Sequence, residues 1–150
     1  MKRFRFRLEA VLQQRRLVYD QKATELATTV NALNAERTKL DAIQSQQAET
    51  LLAFEDRRRR GLEVRDAALY LPFLERLTAQ ATEQAERVEQ AKTRVSAAQA
   101  ALEAARTQYE IVEQLKKKAQ EAYLTEVRRE EQRFLDDISS TRYKSPSSTN

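Results

Sequence analysis

Apolar residues recur every seven positions along this chain, in two stretches divided by its only glycine. Leu12, Tyr19, Leu26, Leu33 and Leu40 fall seven apart, and Phe54 resumes the count after a polar Gln47. Beyond Gly61 the repeat returns as Leu77, Ala91, Ala98, Ala105, Val112 and Ala119, interrupted at Gln84. A seven-residue repeat confines apolar side chains to one narrow stripe of a helix, and that stripe stays wet unless another helix covers it. The pattern predicts an all-α fold of two long helices forming an antiparallel coiled-coil hairpin. Helix one is expected over about residues 7–60, a turn over 61–66, and helix two over 67–139, within a single domain of residues 1–144. At the helical rise this makes helix one roughly 80 Å long and helix two roughly 110 Å if it begins near Asp66. Residues 145–150 are polar, carry Pro146, and are expected to be a disordered tail.

The stop signal of helix one is clear. Four arginines, Arg57–Arg60, precede Gly61, and cations in a last helical turn followed by glycine are how helices commonly end. The start of helix two is less marked. Asp66 is a candidate cap, but Pro72 then lies one turn beyond the positions proline favours, which predicts a kink or a broken start there. With the hairpin centred near Leu62, Leu12 meets Val112, Tyr19 meets Ala105, Leu26 meets Ala98, Leu33 meets Ala91, Leu40 meets Gln84 and Phe54 meets Tyr70. Large residues then face small ones, so the helices can approach closely.

Three consequences follow from that register. Lys2–Arg7 come to lie beside Lys116–Ala122, so two basic clusters distant in sequence meet. Helix two outruns its partner from about Tyr123 to Ile138, and this overhang carries its own stripe of Leu124, Val127, Phe134 and Ile138, shifted by one residue as a stutter would do. A second stripe of helix two, Leu74, Val88, Val95, Leu102 and Tyr109, faces polar positions such as Thr29, Glu36 and Thr50 and is expected to be only partly covered.

Composition narrows the function classes. One Gly and two Pro in 150 residues exclude a turn-rich all-β or doubly wound fold. The chain has no Cys and no His, which removes disulfides, thiolate nucleophiles, imidazole bases and nearly all zinc sites. One glycine cannot build a phosphate-cradling loop. No catalytic residue, cofactor or metal is expected, and the chain is not expected to be an enzyme. No apolar run approaches the length of a membrane span and no secretory leader is legible, so a cytoplasmic protein is expected. Net charge is only +4, but Lys2, Arg3, Arg5, Arg7, Arg15 and Arg16 stand against Glu9 alone near the start, with Arg57–Arg60 and Lys116–Lys118 as further basic runs.

Each candidate site has two readings. Phe4-Arg5-Phe6-Arg7 interleaves aromatics and cations, as an anionic-surface or nucleic-acid contact does, or is a frayed start whose phenylalanines close the end of the seam. Arg57–Arg60 is a solvated turn or a contact for an acidic patch. Lys116 falls on the apolar register, which favours a contact role for Lys116, Lys117 and Lys118. Tyr70, Phe73 and Leu77 either close the hairpin against Phe54 or form a docking face. The nearby Leu69, Leu71 and Leu74 make the region apolar nearly all round, which favours docking.

The whole pattern resembles the FliJ family, the small coiled-coil component of the bacterial flagellar type III export apparatus. Phe4-Arg5-Phe6-Arg7-Leu8-Glu9-Ala10-Val11-Leu12 is similar to the family's F-x-F-x-L-x-x-L start. Tyr70-x-x-Phe73-x-x-x-Leu77 follows a turn at the expected place, and Glu113-Gln114-Leu115-Lys116 resembles its E-x-L-K element. The ending, from Arg129-Glu130-Glu131-Gln132 through Phe134-Leu135-Asp136-Asp137-Ile138 to Arg142-Tyr143, resembles the family's ending; Pro72 is a departure. The resemblance implies a hairpin similar to the central stalk of rotary ATP synthases, located in the cytoplasm and peripherally at the inner membrane of the flagellar base. It implies insertion into the hexameric export ATPase, promotion of that enzyme's assembly and activity, a link to the export gate, and handling of export chaperones. Arg5, Arg7, Lys116, Lys117, Lys118, Leu124, Val127, Phe134 and Ile138 would then face the ATPase ring. Tyr70, Phe73 and Leu77 would meet the cytoplasmic domain of the export-gate membrane protein. A monomer is expected in isolation. The competing readings are a structural coiled coil that self-associates through the Leu74–Tyr109 stripe without ATPase contact, and a binder of anionic membranes or nucleic acid through the basic start.

Overall fold

The computed structural model describes residues 2–144, and the expected disordered tail of residues 145–150 lies outside the described residues. Two helices make up the fold: α1 (Glu9–Gly61, 53 residues) and α2 (Val64–Tyr143, 80 residues). Among the described residues there is no strand, and the architecture is the all-α hairpin that the heptads predict.

Leu62 and Glu63 alone separate the helices. Gly61 takes the left-handed conformation (φ 95°) that an L side chain would resist, and this ends α1 after the three arginines of its last turn. The Glu63 carbonyl accepts from the Asp66 and Ala67 amides (3.0 and 3.2 Å). Asp66 therefore sits in the first turn of α2, where its charge suits the positive end of the helix, rather than capping it. The helix begins at Val64, eight residues before Pro72, so the proline does not start it, and α2 runs on through that position. Proline forfeits one helical hydrogen bond, to the Ala68 carbonyl, but Ala68 is exposed and water can satisfy that oxygen. At the other end α2 passes the expected stop at Ser139. The hydroxyls of Ser139, Ser140 and Thr141 donate back to the Leu135 and Asp137 carbonyls at 2.7–2.9 Å, so this polar stretch stays helical.

The helices group into two compact units. In the unit of Asp20–Ala104, Leu33, Leu77, Gln84, Val88 and Ala91 are buried. Leu40 and Val95 pack against the cluster of Leu33, Val88 and Ala91. Phe54 meets Tyr70 with ring centroids 5.5 Å apart, and the Gln47 amide donates to the Thr78 hydroxyl (3.3 Å). In the unit that joins residues up to Tyr19 with those from Ala105 onward, Leu12, Ala105 and Val112 are buried. There Tyr19 stacks on Tyr109 at 6.0 Å, and Arg15 donates to the Gln108 carbonyl oxygen at 2.5 Å. Partners on α2 fall in number as those on α1 rise, within each unit. Leu33 with Ala91 and Phe54 with Tyr70 are in contact as the register predicts; Tyr19 places its ring on Tyr109, one turn from the expected Ala105.

The Leu74–Tyr109 stripe is partly covered, as expected: Leu74, Val95, Leu102 and Tyr109 are half-buried, and Val88, only 5% exposed, is buried outright. The reason is geometric. This stripe and the Leu77–Val112 stripe are the two rows of one seam, and Leu33 and Leu40, one turn either side of Glu36, reach across to cover Val88. On α1 the second row is polar, and its Glu36 carboxylate and backbone carbonyl both accept from the buried Gln84 side-chain amide. No buried side-chain polar atom among the described residues lacks a partner.

Candidate functional site

In the unit of residues up to Tyr19 and from Ala105 onward, the chain before α1 forms neither helix nor strand over residues 2–6. Burial alternates along it: Phe4 and Phe6 are half-buried, and Arg3, Arg5 and Arg7 are exposed. Phe4 lies against Tyr123 (centroids 5.4 Å, 49° between rings), and the Tyr123 hydroxyl donates to the Lys2 carbonyl at 2.8 Å. The Phe4 contact is that of phenylalanines closing the end of the seam, one of the two readings of this stretch; the Tyr123–Lys2 hydrogen bond belongs to neither reading.

The two basic clusters do come together. Phe4, Arg5, Phe6, Glu9, Lys116 and Gln120 line one open groove of about 470 Å³. Within it the lysines divide. Lys116, on the apolar register, is half-buried and donates to the Glu9 carboxylate at 2.9 Å. Its charge is engaged inside the fold, and Glu9 absorbs much of what it would offer a partner. Lys117 and Lys118 are exposed and, like Arg5 and Arg7, form no ion pair among the described residues. Beyond Tyr123, Val127 is half-buried beside Lys2, while Leu124, Phe134 and Ile138 are exposed, as is every residue of 128–144. Leu135, 57% exposed, widens that stripe.

In the unit of Asp20–Ala104, Arg57, Asp66, Leu69, Tyr70 and Phe73 line an open groove of about 260 Å³. The Arg57–Asp66 pair (3.9 Å) forms its polar wall. Leu69 and Leu71 stand out in solvent and Phe73 is 37% exposed. Tyr70 is half-buried against Phe54. Leu77 differs from its proposed companions. At 2% exposure it is a core residue, because it lies on the same inward row as Gln84 and Ala91. Of the Tyr70, Phe73, Leu77 face, Leu77 is therefore out of reach of solvent, and Leu69, Tyr70 and Phe73 are the accessible side chains at this place.

Among the described residues no group of three acidic, His or Cys side chains could hold a metal. The Glu36 carboxyl is held below the usual carboxylate range, chiefly because the Gln84 amide donates to it, with Lys39 and Arg87 helping against desolvation. That group belongs to the seam. No described helix is long and apolar enough to cross a membrane.

Comparison with curated proteins gives no match, and neither does comparison with solved structures. The family model described as the flagellar FliJ protein matches residues 4–148, from the aromatic–arginine start to beyond the end of α2. That match spans both surfaces and both helices, and the chain thus belongs to the FliJ family and is a structural component of the flagellar export apparatus.

Proposed function

We propose that this chain serves the export apparatus as a non-enzymatic partner of its hexameric ATPase. In this reading the clasped end, with Arg5, Arg7, Lys117, Lys118 and the Leu124, Val127, Phe134, Ile138 stripe, enters the ring and promotes its assembly and activity. The Leu69, Tyr70, Phe73 surface meets the cytoplasmic domain of the export gate, and export chaperones are handled between deliveries, at the cytoplasmic face of the inner membrane. The observation that carries the reading is the combination, in one unit, of unpaired cations with a helix whose apolar stripe has no cover from α1. Unpaired surface cations speed encounter with an acidic collar, and the stripe then supplies contact area. The burial of Val88 counts against the alternative, a coiled coil self-associating through the Leu74–Tyr109 stripe.

The test is direct binding to the cognate export ATPase by the chain and by Arg5→Glu with Arg7→Glu. Charge reversal should weaken binding and flatten its salt dependence. Binding unchanged in both respects would remove the basic end from the contact.

A further inference from the structure

The stripe at the end of α2 is a seam with one flaw. Leu124, Val127, Glu131, Phe134 and Ile138 are spaced three, four, three and four apart, the spacing of one coiled-coil face, and the central position is a carboxylate. Glu131 is exposed and forms no ion pair among the described residues, although Arg128 and Arg129 are near in sequence; Arg129 turns to Glu126 instead (3.7 Å). The stripe continues the α1–α2 seam, which closes at the Tyr123–Lys2 clasp, and Val127 belongs to both. Glu130 and Asp137 flank it on one side, Arg128 and Leu135 on the other.

These charges select what can cover the stripe. A second copy packed antiparallel about the centre brings Glu131 against Glu131 and its neighbour Glu130. Packed parallel, it sets every like charge alongside its twin. Both arrangements place carboxylates together in a face being stripped of water, and like charges there are costly. A helix carrying a lysine or arginine between apolar residues removes the conflict. We propose that the Leu124–Ile138 stripe takes one helix of another protein, that this helix sets a cation opposite Glu131, and that Glu131 is the residue that selects it over a second copy of this chain. The inference rests on the reading that this segment is a contact of the ATPase, and it names the chemistry the contact needs.

Two synthetic helical peptides test it. Each places leucines against Leu124, Val127, Phe134 and Ile138, and they differ only in lysine or glutamate opposite Glu131. Binding to the full chain is followed by fluorescence anisotropy. The lysine peptide should bind about tenfold tighter or more, and the Glu131→Lys variant should reverse the order. Equal affinities, or an order that Glu131→Lys leaves alone, overturn the inference. Residues 128–144 are exposed throughout, so these variants leave the packed seam intact, which circular dichroism checks. Sedimentation of the wild-type chain is an independent check: association that Phe134→Ala abolishes would make a second copy the occupant and overturn the inference. The ATPase separates this inference from the function it rests on. Binding lost in both Phe134→Ala and Glu131→Lys supports both. Binding lost only in Phe134→Ala keeps the ATPase contact and overturns the role of Glu131. An ATPase that binds neither wild type nor variant removes the ATPase reading, and the peptide order alone then decides for or against the selection by Glu131.

Discussion

Leu77 and Phe73 lie one turn apart on α2, and their roles should separate under substitution. Leu77 is 2% exposed and Phe73 is 37% exposed. Leu77→Ala removes three carbons from the seam, worth about 0.8 kcal/mol each in lost burial, to which unfilled space adds. The expected loss is about 2–4 kcal/mol. Phe73→Ala removes a ring that already keeps one edge in water, and alanine's better helix propensity offsets part of the loss. Its expected cost is no more than about 1.5 kcal/mol. Urea unfolding followed by circular dichroism at 222 nm reads both, with the slope checked for a change in cooperativity. The partner readout should run the other way: Phe73→Ala should weaken binding to the cytoplasmic domain of the export gate while the helices stay folded. If Phe73→Ala costs as much stability as Leu77→Ala, the ring is part of the core, and the assignment of an accessible docking surface to it is wrong.

Three further outcomes follow from the geometry. Gln84→Leu should change stability little at neutral pH, since added apolar burial and the lost bonds to Glu36 are of similar size; a large loss on urea unfolding would show that the polar pair is a major support. The same variant should differ in acid. The Glu36 carboxyl is held low in the folded chain, so its contribution is present above the unfolded carboxylate value of about 4.3 and is lost as pH falls through the lower folded value. Wild type should therefore lose more stability than Gln84→Leu on acidification below that value, and parallel pH curves would contradict this. Tyr123→Phe deletes the hydroxyl that holds the Lys2 carbonyl, at about 0.5–1.5 kcal/mol. Hydrogen exchange of the first residues should speed up a few-fold, with no change at Leu33 or Ala91.

Much of the fold is written in the heptads. The stripes on either side of Gly61 announce two helices, and the register that sets Leu33 against the small Ala91 also brings Phe54 to Tyr70, as found. Local rules located the weak points without giving their outcome. Pro72 is unwelcome inside a helix, yet α2 runs through it on an exposed face, where water can reach the freed Ala68 carbonyl. The Val88 row is only partly covered, as its polar facing positions on α1 imply; at Val88 itself, side chains one turn away complete the cover. At Tyr70, Phe73 and Leu77 helical spacing placed three residues on a common side, yet spacing cannot tell which of them points into a seam two helices wide. The hydrogen bond of Tyr123 to Lys2 joins residues 121 positions apart and no local pattern announces it, whereas the alternation of Phe and Arg already suggests phenylalanines closing the end of the seam. Lys116 stands out in the sequence as an interruption of the stripe and reads there as a partner contact; its pairing with Glu9 inside the chain follows only from the register of the folded pair.

The most direct measurement is steady-state ATP hydrolysis by the cognate flagellar export ATPase with and without this chain, alongside light scattering of each protein alone. The account predicts stimulation by a chain that is itself monomeric, with the stimulation lost in Phe134→Ala. Unchanged hydrolysis, together with self-assembly of this chain, would contradict it and leave a structural coiled coil within the export apparatus.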